Sequence, residues 1–375
     1  MISFEPTEKQ LTMQEYFRRL AIERLQPRSI QIDAAIPTGI DPDYLAVIAE
    51  ENLNAFLIPE KYGGKPLDRM SLAILFEELG AGCAGLAAVY AQTFHSIAAL
   101  LIGGSEEQKK RFFPLLLPPG GHVASFCVTE EKSGSNTSSF STSLSFSRKG
   151  RSFILRGDKN PVINAGQGQF YVVWANEEGT RNRAGISTFL IPEKTGGLGF
   201  GTYHDKPGFR PAPTATVHLK DVRIPEGNMI GPAGSGYLLL MQILDWGRAL
   251  SAAIAVSLAR TAIEKAIRFA KQRVILKRPI IKNQSIAFIL DDLVTELEAA
   301  RALVWRACRL IDLGRDHTVA SSMAKLYASE LAVRATTEGL LILGQSGYRR
   351  PSLMDKLHRD AQAFRIAEGT SLFRN

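Results

Sequence analysis

The chain reads as an α+β protein in three parts: an N-terminal helical domain over residues 1–121, a middle antiparallel β-domain over 122–232, and a C-terminal helical bundle over 233–375. Three observations predict this. Apolar residues recur at helical spacing at both ends of the chain. Between them the pattern changes to short runs of β-branched and aromatic residues. Gly and Pro clusters mark the joints. At 375 residues, 45% hydrophobic and 22% charged, the chain has core enough for two or three domains and is too apolar for extensive disorder.

In the first part, Leu45 and Ile48, then Leu72, Leu75, Phe76 and Leu79, fall on helical faces. Breaks separate these helices at IPTGIDP (36–42) and IPEKYGGKP (58–66). The middle part offers SFILRG at 152–157, QFYVVWA at 169–175, ISTFLIP at 186–192 and TATVHL at 214–219, with glycine-rich turns between them. The Ser/Thr-rich stretch 135–147 carries Phe140, Leu144 and Phe146, so it reads as a surface loop running into a strand. In the last part, Ile254, Leu258, Ala262, Ala266 and Ala270 lie at i, i+4 intervals. Ile286, Leu290, Leu293, Leu297, Ala300 and Val304 continue the pattern, and a third helix spans about 319–343. Long amphipathic helices with short connections indicate a bundle.

Composition excludes several classes. No run of about 18 apolar residues is present, so no membrane span is expected. The N-terminus carries Glu5 and Glu8 and lacks an apolar signal core, which predicts a cytoplasmic protein. Cys83, Cys127 and Cys308 are too far apart in sequence for a CxxC metal site, and the histidines show no HExxH pattern, so no metal is expected. The net charge of +8 favours anionic partners. The basic residues are dispersed and form no nucleic-acid-binding motif, so nucleic acid is not expected.

Five stretches carry a resemblance that covers essentially the whole chain: IPEKYGG (58–64), FCVTEEKSGSN (126–136), GFRPAPTATVHLKDVRIPEGNMIG (208–231), the helix opening DWGR (245–248), and LHRDAQAFRIAEGT (357–370). Their order and spacing resemble the acyl-CoA dehydrogenase family. The resemblance implies a middle β-barrel, a C-terminal four-helix bundle, FAD held between the domains, and a homo-oligomer. It also implies α,β-desaturation of an acyl thioester on CoA or an acyl carrier protein, with electrons passing to an electron-transfer flavoprotein.

That reaction removes a weakly acidic α-proton while a hydride leaves the β carbon, so it needs a placed carboxylate and donors for the thioester carbonyl. The resemblance puts Glu368 in the role of catalytic base. Phe126, Val128, Thr129, Gly134, Ser135, Ile163 and Thr370 take flavin-contact positions. Arg273 takes the position that reaches a neighbouring subunit's FAD diphosphate. Ser135, Asp245, Arg248 and Gly369 take substrate-pocket positions. Asp245 and Arg248 also fit an ordinary i, i+3 helix pair. His95, on an apolar stretch, reads as a hydrogen-bonded core residue, Cys127 as packing, and GQSGY (344–348) as a turn.

Departures from the family pattern fall on flavin contacts. Pro161 and Ile163 replace the usual Trp and Thr of the barrel motif. Ile275 and Leu276 replace a polar residue and Phe in the intersubunit motif, and Lys277 replaces its Gly. Two other readings therefore stand beside the dehydrogenase: a flavin-free thioester lyase or isomerase in which Glu368 moves protons without redox, and a non-catalytic scaffold that kept the thioester pocket.

Overall fold

The computed structural model describes residues 5–35, 37–138, 140, 145–149, 151–180 and 182–372, the stretch 145–149 by its backbone alone. Leu144 of the expected loop lies outside these residues. The N-terminal helices are α1 (Glu8–Leu20), which runs through a π-helical turn into α2 (Gln26–Ala34), then α3 (Pro42–Glu50), α4 (Arg69–Gly82), α5 (Ala84–Gly103) and α6 (Glu106–Phe112). Several of their starts are capped by short polar side chains that satisfy otherwise unpaired N–H groups. Thr7 and Ser105 form capping boxes with Gln10 and Gln108, and Asp68 accepts from the Ser71 N–H at 2.6 Å. In the IPEKYGG break, a Cβ on Gly64 would collide with the Ile58 carbonyl oxygen, so only glycine fits there.

Eight strands follow: β1 (Val123–Cys127), β2 (Ser145–Lys149), β3 (Ser152–Ile163), β4 (Gly168–Glu177), β5 (Ile186–Pro192), β6 (Leu198–Phe200), β7 (Thr214–Pro225) and β8 (Met229–Ile230). They form one sheet in the order β6-β7-β3-β2-β4-β5-β8, with β1 also on β4. The expected antiparallel sheet is mixed at β4, where β1 and β2 both pair parallel to it. The continuous apolar run of β4 is explained by burial on both faces. Phe170, Val172 and Trp174 join the core shared with the helices. Tyr171, Val173 and Ala175 join a second core inside the β-domain, with Leu155, Phe189 and Val217.

The C-terminal part holds α7 (Gly236–Gln272), a hairpin of β9 (Val274–Ile275) and β10 (Arg278–Pro279), α8 (Gln284–Asp312), α9 (Thr318–Leu343), the short α10 (Gln345–Tyr348) and α11 (Leu353–Phe364). Helices α7, α8, α9 and α11 pack together, and α4 and α5 lie against α7. A buried ionic cluster ties the helical parts. Arg260 of α7 grips Glu78 of α4 through both terminal nitrogens at 2.7 and 2.6 Å and touches Glu77 at 3.1 Å. Arg301 of α8 reaches Glu77 at 2.9 Å, and Arg18 of α1 reaches Glu78 at 3.2 Å.

Helices α5 and α7 are long and apolar enough, by length and composition, to cross a membrane, contrary to the expectation from sequence. Both lie mostly buried inside the fold as core helices. In α5, Gln92, Thr93, His95 and Ser96 interrupt the Ala and Leu residues, so the sequence shows no continuous apolar run there.

Candidate active site

The IAEGT stretch leaves the C-terminal end of α11 in a turn. Glu368 and Gly369 both take left-handed backbone conformations, φ 57° and 95°. For a non-glycine residue that conformation is strained and persists only where its surroundings fix it. Here the Arg248 Nε–H donates to the Glu368 carbonyl at 3.3 Å, the Lys325 ammonium donates to the Gly369 carbonyl, and the Ser371 N–H closes onto the Arg365 carbonyl at 2.9 Å. Within the turn the N–H groups of Ile366, Ala367 and Ser371 are used, whereas that of Glu368 has no acceptor among the described residues. The turn carries the Glu368 side chain inward, to 10% exposure. Its Oε2 is buried and has no hydrogen-bond partner.

Helix α7 supplies the next layer. Arg248 Nη1–H donates to Asp245 Oδ1 at 3.0 Å, and the Thr318 hydroxyl of α9 donates to Asp245 Oδ2 at 2.7 Å. The i, i+3 pair is thus present and also holds the Glu368 turn through the arginine. Lys325 of α9 completes the cationic side. Burial, partly opposed by the Glu368 carboxylate, pulls its ammonium down to about 8.

On the apolar side stands His95 of α5, 1% exposed, with Nε2 3.2 Å from Glu368 Oε1. Its ring lies 5.1 Å from Phe126, which in turn meets Trp174 edge-on at 4.6 Å. Helix α7 passes it at Gly247, where a Cβ would collide with His95 Nε2. The reading of His95 as a hydrogen-bonded core residue is corrected here. The residue is buried, but neither ring nitrogen has a protein hydrogen bond of good geometry, and its nearest polar neighbour is the carboxylate.

Beyond Phe126 the chain runs through Val128 and Thr129 into an exposed loop with Gly134 and Ser135. A buried pair anchors the base of this loop. Lys159 of β3 donates to the Val128 carbonyl at 3.0 Å and to Glu130 Oε1 at 2.8 Å, and sits 3.9 Å over the Phe140 ring. Burial, opposed by Glu130, brings its ammonium down to about 8. The Asn160 N–H donates to the Thr129 carbonyl at 2.8 Å. The hydroxyls of Thr129 and Ser135 make no side-chain hydrogen bond among the described residues. Ile163, half-buried, ends β3 and accepts the Ser125 hydroxyl at its carbonyl (3.2 Å). Pro161 is exposed beside it and Thr370 is half-buried after the turn. Cys127 is fully buried, and burial pushes its thiol up, out of the reactive range.

The structure therefore gathers Glu368, Gly369, Asp245 and Arg248 into one cluster, with Phe126 reached through His95. Arg273 is not in it. It is exposed at the far end of α7, and the 25 residues from Arg248 correspond to about 38 Å of helix. His95, Gly247, Lys325 and Thr318 were not singled out from sequence as site residues. The glycine inside DWGR was the available signal, because a mid-helix glycine usually marks a close approach.

Three family models match the chain: acyl-CoA dehydrogenase N-terminal domain over residues 7–118, middle domain over 125–222 and C-terminal domain over 234–372. The rat mitochondrial short-chain specific acyl-CoA dehydrogenase is 33% identical over 371 residues, 98% of this chain and 89% of that protein. The structure of butyryl-CoA dehydrogenase from Megasphaera elsdenii superposes with a TM-score of 0.93 at 30% identity, covering 99% of this chain and 97% of that one. The prolyl acyl carrier protein oxidase AnaB superposes with a TM-score of 0.91 at 27% identity, covering 98% and 97%.

Proposed function

The chain belongs to the acyl-CoA dehydrogenase family, and from that premise we propose that it is an FAD-dependent dehydrogenase that desaturates an acyl thioester between its α and β carbons. One observation carries the assignment of the base. Glu368 is turned inward by a left-handed turn that neighbouring helices hold in place, and one of its carboxylate oxygens is buried with nothing to bond. A buried unpaired oxygen is costly unless it has a task. Here the task is to take the α-proton, while the free N–H of Glu368 supports the thioester carbonyl as negative charge develops there. Gly369 lets the acyl chain come close to the backbone. Asp245 and Arg248 hold the turn that presents the base, and we assign Ser135, on the exposed loop, to the substrate's side.

The residues at the loop fit a flavin. Thr129 and Ser135 offer uncommitted hydroxyls, Phe126 and Val128 offer apolar surface, Gly134 adds no side chain, and we assign Ile163 and Thr370 to the same cofactor. Bound FAD supplies the acceptor for the β-hydride, so the thioester loses two electrons and two hydrogens in one turnover. Arg273, far from its own protomer's site along α7, suits the diphosphate of a neighbouring subunit's FAD, which makes the working form a homo-oligomer. The +8 charge suits an anionic carrier, either CoA or an acidic acyl carrier protein. The likeness to a carrier-protein oxidase supports the latter, and the likeness to the CoA dehydrogenases supports the former. We assign the final electrons to an electron-transfer flavoprotein and the protein to the cytoplasm.

The test is anaerobic. Short-chain acyl thioesters on CoA and on carrier protein are mixed with the yellow protein, and loss of the flavin absorbance is followed. Bleaching by wild type, and its slowing by about 10²–10⁴-fold in Glu368→Gln with flavin still bound, is the expected outcome. A protein that takes up no FAD would sink the proposal in favour of a flavin-free activity. A Glu368→Gln variant that bleaches at the wild-type rate would move the base elsewhere.

A further inference from the structure

We infer that His95 is a positioning residue for the base: it pins Oε1 of Glu368 and leaves Oε2 as the oxygen that takes the α-proton. The inference rests on the dehydrogenase reading above. Nε2 of His95 lies 3.2 Å from Oε1, and no other side-chain donor among the described residues reaches this carboxylate. A carboxylate only accepts, so the tautomer that suits this contact carries its proton on Nε2. The N–H direction misses the oxygen's line in the resting site, as catalytic contacts often do before substrate arrives.

The ring has little else to orient it through polar contact, since Nδ1 also lacks a partner. Packing sets its plane: Phe94 at 5.7 Å, Phe126 at 5.1 Å, and the groove left by Gly247, which any Cβ would close. A polar ring buried to 99% with no hydrogen bond, and with one carboxylate as its nearest polar neighbour, is poorly explained by stability alone. It is explained if the carboxylate must be held with one face free. In the step itself the α C–H bond breaks, its electron pair stays on the thioester, and the proton joins Oε2. His95 neither gains nor loses a proton. The other charged groups on this side are Arg248 and Asp245 of α7 and Lys325 of α9. The arginine and the lysine bond the turn's backbone carbonyls and not the carboxylate, so they hold the backbone while His95 sets the side chain.

The experiment uses the FAD-loaded protein and reads α-proton exchange of a saturated acyl thioester in D₂O, alongside flavin bleaching, the visible flavin spectrum and thioester affinity. His95→Phe keeps a ring against Phe126 and removes the donor. Exchange should fall about 10- to 100-fold, the size of one hydrogen bond to a charged group, with affinity and flavin spectrum unchanged. His95→Gln places an amide N–H near the lost Nε2–H and should recover most of the rate. Gly247→Ala, which displaces the ring without altering it, should lower exchange as His95→Phe does. Wild-type exchange in His95→Phe, or a Gln variant no faster than the Phe variant, would overturn the inference. Glu368→Gln separates the two claims. If it exchanges at the wild-type rate, the assignment of Glu368 as the base fails, and the role of His95 with it. If it is dead while His95→Phe is unaffected, only the role of His95 fails.

Discussion

Replacing Lys159 by Met should destabilise the protein and loosen the loop proposed to hold flavin. Lys159 is fully buried, and its ammonium meets the Glu130 carboxylate and the Val128 carbonyl. Methionine fills a similar volume but leaves Glu130 as a buried charge without a partner, because the other carboxylate oxygen already has none. Breaking one side of a buried pair costs about 3–5 kcal/mol. For 375 residues the unfolding entropy near the midpoint is about 0.8 kcal/mol/K, from about 2.1 cal/mol/K per residue. The melting temperature should therefore drop by about 4–6 °C, read by circular dichroism at fixed protein concentration. FAD retention on gel filtration should fall in parallel, since residues 128–130 lead into the loop. The double variant Lys159→Met with Glu130→Met removes both charges and should regain most of the loss, because replacing a whole buried pair by apolar groups is often neutral. A double variant as unstable as the single one would refute the reasoning. It would show that lost packing, and not an orphaned charge, sets the effect.

Three other perturbations follow from the same structure. Leu276 and Lys277 form the tip of the β9–β10 hairpin with φ of 50° and 66°, a turn that favours glycine. Lys277→Gly should therefore raise the melting temperature slightly, by up to about 1 kcal/mol of stability after the greater freedom of the unfolded chain is counted; a fall would contradict the strain argument. Burial pushes the Glu77 carboxyl up, but Arg260 and Arg301 outweigh it and hold it below the ordinary value. With the folded value depressed, this stability is present above the unfolded value of about 4.3 and is lost as pH falls through the folded one. Acid titration of Glu77→Gln should accordingly show a flatter loss of stability below about pH 5 than wild type, and an identical slope would remove Glu77 from the account. Arg273→Ala should weaken FAD binding about 10- to 100-fold, by loss of charge-assisted hydrogen bonds, while light scattering reports an unchanged oligomer. Unaltered FAD affinity would end the intersubunit role.

Much of the site was legible because it is local in sequence. Through the family resemblance the EGT triplet marks Glu368 and Gly369 together, and the i, i+3 spacing of Asp245 and Arg248 is enough to put them on one helix face. His95 was not legible. Its contact joins α5 to a turn 273 residues later (368 − 95), and a lone histidine among alanines and leucines has the signature of a packed core residue. Lys159 sits within the KNPVINA stretch, where the resemblance marks only the departures at Pro161 and Ile163. Only the fold shows that the lysine locks the loop's base. In the sheet, the run QFYVVWA announced a strand but neither its burial on both faces nor its parallel pairing with β1 and β2, because those depend on packing and register made across long connections.

Strand β4 has no wet side, and this decides how the protein comes apart. Phe170, Val172 and Trp174 belong to one core and Tyr171, Val173 and Ala175 to the other, so neither core can dissolve without stripping half of the same strand. The β-domain cut out at its sequence boundaries would carry an exposed aromatic row where α5 and α6 had lain, with Phe170 deprived of its 5.2 Å contact to Phe112. Such a fragment invites aggregation. The three sequence segments are three chapters of one cooperative unit, and a thermal scan of the intact chain should show them melting as a single transition.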